Sequence, residues 1–252
     1  MWQTKRPTVK GQDEKAVDAM KDGVVVRPVN SVYRRDSAFS YACHACSRCC
    51  HDKVIRLNPY EVDRLAMNRG ITTTEFLSRY TESNGTSLRR VEEGACVFLS
   101  RQGCGVHEDR PLVCRLYPLG RRVTAEGEET FHELTPHPRT EGEYGRGGTV
   151  QDFLTTQGAQ PFIEAVDRYV ELVGSMAVKL HSVAANDHDL LAEVKQATEG
   201  VDQRHDAILR DWTDMDSVLT QYCLERGMTV PDDVTERMPL HIRAVTERLD
   251  KL

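Results

Sequence analysis

Seven of the eight cysteines fall between Tyr41 and Leu119. They read Cys43-His-Ala-Cys46-Ser-Arg-Cys49-Cys50, then Cys96, Cys104 and Cys114. Thiolates are soft ligands for zinc, iron and copper. A two-residue gap lets a loop turn two of them onto one ion. A disulfide framework belongs to small secreted domains, and an odd number of clustered cysteines leaves one over under full pairing. The cluster therefore reads as a metal site. Cys223 stands apart and reads as an ordinary buried thiol.

The spacing leaves two chemistries open. Cys43-x2-Cys46-x2-Cys49 has the spacing of the bacterial iron–sulfur run, whose fourth cysteine is distant in sequence. Arg115 stands where the ferredoxin run would carry a proline after that fourth cysteine, and the run is not C-x3-C-x2-C. The other chemistry is zinc held by four thiolates, or by thiolates and a histidine. His44, His51 and His107 lie near the cysteines, and His107, between Cys104 and Cys114, is the best placed. Seven thiolates exceed what one zinc or one cubane takes, so either two sites exist or some thiols are free. One cluster plus one zinc would use all seven cysteines with His107. Cys49 and Cys50 are adjacent, so their side chains diverge. Arg48, Arg110 and Arg115 are placed to offset thiolate charge, Arg115 foremost.

The surrounding elements follow from caps and periodicity. Asn58-Pro59 starts a helix that Gly70 stops, and Thr72 with Glu75 starts another. These two helices separate Cys50 from Cys96. Val24–Val26 reads as a strand, and residues 33–41 as a loop. Cys96–Leu99 and Gly103–His107 read as two short strands about a turn, with Leu116–Leu119 as an apolar patch that includes Tyr117. Residues 120–150 are rich in Gly, Glu, Thr, Pro and Arg, and Gly145-Arg-Gly-Gly148 reads as a loop without nucleotide-binding spacing. Thr149 caps a helix ended by Gly158. Pro161 opens a longer one to about Val183, with Phe162, Ala165, Val166, Tyr169, Val170, Val173, Ala177 and Leu180 on one face. Further helices are expected over 187–199, 201–212 and 218–226, the last capped by Asp214 or Asp216. A final segment runs from Thr229 and is interrupted at Pro239. Asp63, Glu75 and Glu108 read as surface charges.

The CxxCxxCC run, Cys96-Val-Phe-Leu, Gly103-Cys104-Gly-Val-His107 and Arg110-Pro-x2-Cys-Arg-x-Tyr-Pro118 together resemble the YkgJ-type cysteine-cluster family. The likeness covers about residues 40–120, with a weaker one near Gly148–Gly158. It implies zinc or iron chelation by Cys43, Cys46, Cys49, Cys50, Cys96, Cys104 and Cys114. A flagellin lysine N-methylase branch shares this cluster, which implies a metal-dependent enzyme modifying a protein side chain as an alternative. Many members carry a further cysteine in a Cys-Pro-Gly segment; the corresponding Leu134–Thr140 region has none and offers His137 instead.

The chain has 252 residues, 39% hydrophobic and 29% charged, with a formal net charge of −6. That balance argues against a general nucleic-acid binder, and no apolar stretch reaches membrane-spanning length. Met1–Lys21 is polar and lacks the apolar run of a signal peptide, so reduced thiols and a cytoplasmic location are expected. The expected fold is α-rich α+β. An N-terminal arm (1–30) precedes a small irregular metal-stapled cysteine domain with short strands (31–148) and a helical C-terminal region (149–252). The expected function is metal binding, with an iron–sulfur cluster of the 4Fe–4S type ahead of zinc. A structural zinc protein, whose helical tail docks a protein partner, is a further alternative.

Overall fold

The computed structural model describes residues 19–21, 24–26, 32–82, 85–137, 139–145, 147–186 and 212–251. The helices expected over 187–199 and 201–212 therefore lie, all but Trp212, outside the described residues. So do residues 1–18 of the expected arm. Its described residues form two strands: β1 (Ala19–Lys21) pairs antiparallel with β2 (Val24–Val26).

The stretch expected as a loop before the first cysteine carries two short strands, β3 (Val32–Tyr33) and β4 (Tyr41–Ala42). Two helices follow the run, α1 (Pro59–Arg69) and α2 (Thr73–Tyr80). Asn58 and Glu61 form a reciprocal capping box on α1, and Gly70 ends it at φ 66°, a left-handed angle that glycine adopts without a side-chain clash. Thr72 accepts a hydrogen bond from Glu75 N–H and caps α2. Strands β5 (Thr81–Glu82) and β6 (Ser87–Leu88) form one hairpin, and β7 (Leu99–Ser100) and β8 (Gly103–Cys104) another. The second is shorter than its sequence pattern predicts, because residues 96–98 form a turn into it in which Leu99 N–H bonds Cys96 C=O.

After α3 (Leu112–Leu116), residues expected as loop form a hairpin, β9 (Leu119–Val123) and β10 (Glu129–Glu133). With β3 it makes a three-stranded antiparallel sheet, order β3-β10-β9. Only Leu119 and Phe131 of the hairpin are buried, so it lacks a repeated apolar alternation to announce it. Strand β11 (Glu143–Tyr144) pairs with β4.

The C-terminal part is helical: α4 (Val150–Thr156), α5 (Gln160–Asn186), α6 (Met215–Leu224) and α7 (Val234–Leu249). Pro239 lies inside α7 and does not interrupt it. The resulting architecture is helix-rich α+β.

Two apolar clusters fill the interior. The larger gathers Phe39, Leu116, Phe131, Val150, Phe162, Tyr169, Met215 and Leu219. The smaller gathers Ile55, Leu57, Val62, Leu65, Phe76, Leu88, Phe98 and Val106, and Cys50, Cys96, Cys104 and Cys114 belong to or border it. Helix α1 serves both, with Tyr60 in one and Val62 and Leu65 in the other. Burial on two faces removes its charged side chains from water, so they need internal partners. Asp63, expected at the surface, is 1% exposed and accepts from Arg237 Nε at 2.9 Å. Arg237 also donates to Asp216. Asp214 caps α6 through Ser217 N–H and takes the Thr73 and Thr74 hydroxyls, both at 2.6 Å. Asp216 in turn takes Thr73 N–H at 2.7 Å. The starts of α2 and α6 are thus capped partly by each other.

Candidate metal centre

Each cysteine is placed by a short local device. In the first run Ala45 and Ser47 adopt left-handed angles, φ 52° and 61°, which wind the chain tightly between cysteines. Cys49 and Cys50 sit in a 3-10 turn over Arg48–Cys50, with Cys50 N–H on Ser47 C=O at 3.0 Å. Cys96 N–H donates to Cys50 C=O at 2.9 Å and brings the second segment alongside. The β7–β8 hairpin sets Cys104 opposite Leu99, and Gly103 makes the turn at φ 97°. Cys114 rides on α3, whose first turn is fixed by Glu61: Leu112 N–H donates to its carboxylate at 2.7 Å.

All seven cysteines line one cavity of about 90 Å³. Ile55, Leu88 and Phe98 give it an apolar wall, Tyr41 and Tyr117 an aromatic one, and no Asp or Glu faces it among the described residues. Cys43 is exposed and Cys96 buried, with the others between.

Electrostatics divide the thiols into an inner and an outer set. Cys49, Cys50, Cys96, Cys104 and Cys114 act on one another. The Cys50 thiol beside Cys49 lowers the Cys49 pKa to about 6, with Lys53 and Arg110 assisting against burial. Expected to diverge, the two side chains instead lie within hydrogen-bond reach in the 3-10 turn, and the same contact, with burial, drives Cys50 up. Burial raises Cys96 and, far more, Cys114. The contact thus favours the thiolate at Cys49 and the neutral thiol at Cys50. In the outer set burial pushes Cys46 up, but the Glu141 and Arg48 N–H groups and the Thr140 hydroxyl outweigh it and the thiol is lowered. Glu141 N–H lies 3.5 Å from Cys46 Sγ.

Among the described residues, no three Cys, His, Asp or Glu side chains converge closely enough to hold one ion as they stand. The thiols face a common space without meeting at a point. In kind the donor set fits a thiophilic metal: seven thiols around one cavity, one of them with its thiolate form favoured, and no competing carboxylate among the described residues.

His107 is at the cavity, where its Nδ1 lies 3.3 Å from Arg110 Nη1, leaving Nε2 as its other nitrogen. His44 also lines the cavity; His51 and His137 do not. His137 Nδ1 accepts from Arg139 N–H. Arg110 lines the cavity as expected, but Arg115 does not. Its guanidinium donates to the carbonyls of Glu108, Arg110 and Gln157 and lies 4.0 Å from the Phe162 ring centroid. It pins the Cys104–Cys114 connection to the end of α4 instead of meeting thiolates. Arg48 is 3.9 Å from Glu141. Sequence reasoning missed Lys53, Glu61 and Thr140. Lys53, three residues after Cys50, had only its charge as a signal.

Residues 42–136 match the model of the CxxCxxCC family, described as a "putative zinc- or iron-chelating domain". That segment contains all seven clustered cysteines and His107, and the match agrees there with the resemblance read from the residues. Neither a curated protein nor a solved structure matches the chain. Among the described residues no helix is long and apolar enough to cross a membrane.

Proposed function

We propose that the cavity is an iron-chelating centre that holds a 4Fe–4S cluster, with ligands drawn from Cys49, Cys50, Cys96, Cys104 and Cys114. Five mutually interacting thiols around a space larger than one ion needs carry this reading. Such a cluster, when bound, supplies one-electron chemistry. The chain's own contribution is to hold the thiols and keep water out: Phe98, Ile55 and Leu88 close the inner side. Cys43, Cys46 and His107 stand at the outer side, where a second ion or an added ligand would be met.

A closed structural zinc site is the second reading. It is favoured by the origin of the thiols in three separate segments, which a tetrahedral ion would staple together.

Purification without oxygen, followed by iron, zinc and sulfide analysis and a visible spectrum, separates the two. The expected result is about four iron and four sulfide per chain, with broad absorption bleached by reductant. A colourless protein with stoichiometric zinc establishes the second reading, and a protein that takes up neither metal sinks both.

A further inference from the structure

The thiols face a charge problem that the cavity solves with one side chain. Four thiolates around a divalent ion leave two surplus negative charges. Burying that surplus is costly unless a cation lies close by. Among the described residues the cavity is lined by two side chains that are always or mostly cationic, Arg110 and Lys53. Arg110 is already engaged: Nη1 donates to His107 C=O at 2.6 Å and Nη2 to Gln157 Oε1 at 2.8 Å.

Lys53 is differently placed. Its Nζ lies 3.5 Å from the Tyr117 ring centroid; burial lowers its pKa, and Cys49, Cys114 and Cys50, all of the inner set, act against that to favour the charged ammonium. Among the described residues no carboxylate pairs with it within 4 Å. The ring beneath it is fixed, since Tyr117 is 7% exposed, its phenol oxygen accepts from His137 N–H at 3.0 Å, and its face meets Tyr41 edge-on at 6.4 Å. A cation over an aromatic face keeps its charge while losing water.

We propose that Lys53 is the built-in counter-charge of the chelating centre, a positioning residue that Tyr117 holds toward the inner thiols and that sets how tightly the metal is held. This rests on the chelation reading above. It also accounts for a half-buried ammonium that lines the thiol cavity.

The test compares the full-length wild type with Lys53→Met, which keeps the stem, Lys53→Gln, which keeps polarity, and Lys53→Arg, which keeps charge. Zinc affinity is measured by competition with a chromophoric chelator at one pH, and iron and sulfide content after anaerobic reconstitution. Circular dichroism of the metal-free proteins monitors folding. The neutral variants should bind about 10–100-fold more weakly, as expected for a residue that supports ligands from outside the metal's own contacts. Lys53→Arg should stay much nearer the wild type. Equal affinity in wild type and either folded neutral variant overturns the proposal. So does an equal loss in all three variants, which means packing and not charge. A wild type that binds neither zinc nor iron is a distinct result: it removes the chelation reading and this proposal with it.

Discussion

Glu61 accepts a hydrogen bond from the backbone N–H of Leu112 at 2.7 Å, tying the start of α1 to the first turn of the helix that carries Cys114. The other carboxylate oxygen accepts Asn58 N–H at 3.0 Å, and the side chain is 3% exposed. Burial pushes its pKa up to about 7. One side chain thus caps a helix and places a thiol.

Removing that carboxylate leaves two backbone donors without their acceptor. Glu61→Ala should cost about 2–6 kcal/mol in urea unfolding, at roughly 1–3 per stranded group. Glu61→Gln, which retains one acceptor oxygen, should cost less. Metal retention should fall in the same order if α3 is mispositioned, and equal retention in all three proteins refutes the placing role.

The inner and outer thiols should separate by substitution. Cys114→Ser and Cys49→Ser should lose most of the bound metal, and Cys43→Ser, at an exposed position, should lose least. Elemental analysis of the purified variants is the check, and a Cys43 variant as depleted as Cys114→Ser contradicts the inner set. Chelator treatment of the wild type should lower its melting temperature, because binding free energy at an unstapled site is also folding free energy.

Asp63 and Arg237 form a buried pair that joins α1 to α7. Arg237→Met should destabilise by about 3–5 kcal/mol, because Asp63 is then left charged and unpaired. Adding Asp63→Asn should recover part of that loss. A double-mutant cycle in denaturant measures the coupling, and purely additive losses exclude it.

His241 gives the fold a pH dependence of its own. It is fully buried on α7 against α5, with Nδ1 3.0 Å from the Tyr169 hydroxyl, and burial lowers its pKa from 6.5 to about 3. The unfolded chain takes up the proton below pH 6.5 while the folded chain refuses it until about 3, so stability is complete above 6.5 and declines as pH falls toward 3. At pH 5 the loss should be about 2 kcal/mol relative to pH 7.5. Urea titrations of metal-free wild type and His241→Gln isolate this part, since the variant should lack it. Equal slopes in both proteins would assign the dependence elsewhere.

Local signals in the chain were sufficient for much of this. Asn58-Pro59 and Gly70 bound α1, Thr149 caps α4, and the apolar spacing from Phe162 marks α5, although Val170 and Val173 of the expected face are exposed. Cap chemistry acts within four residues, so a linear reading sees it. The cysteine pattern likewise pointed to chelation, since ligand type and short gaps are properties of the sequence. What the sequence could not decide involves partners far apart along the chain. Asp214 caps its own helix as expected, but Asp216 caps α2, 143 residues earlier. Asp63 has the appearance of a surface charge until α7 brings Arg237 against it. Arg115 follows Cys114 directly yet turns away from the thiols, because the carbonyls of Glu108, Arg110 and Gln157 offer it a set of acceptors. Lys53 carries no motif at all, and only the packing of Tyr117 beside the first cysteine run turns it inward. Charge and capping preferences state what a side chain needs; only the folded chain determines which distant group supplies it.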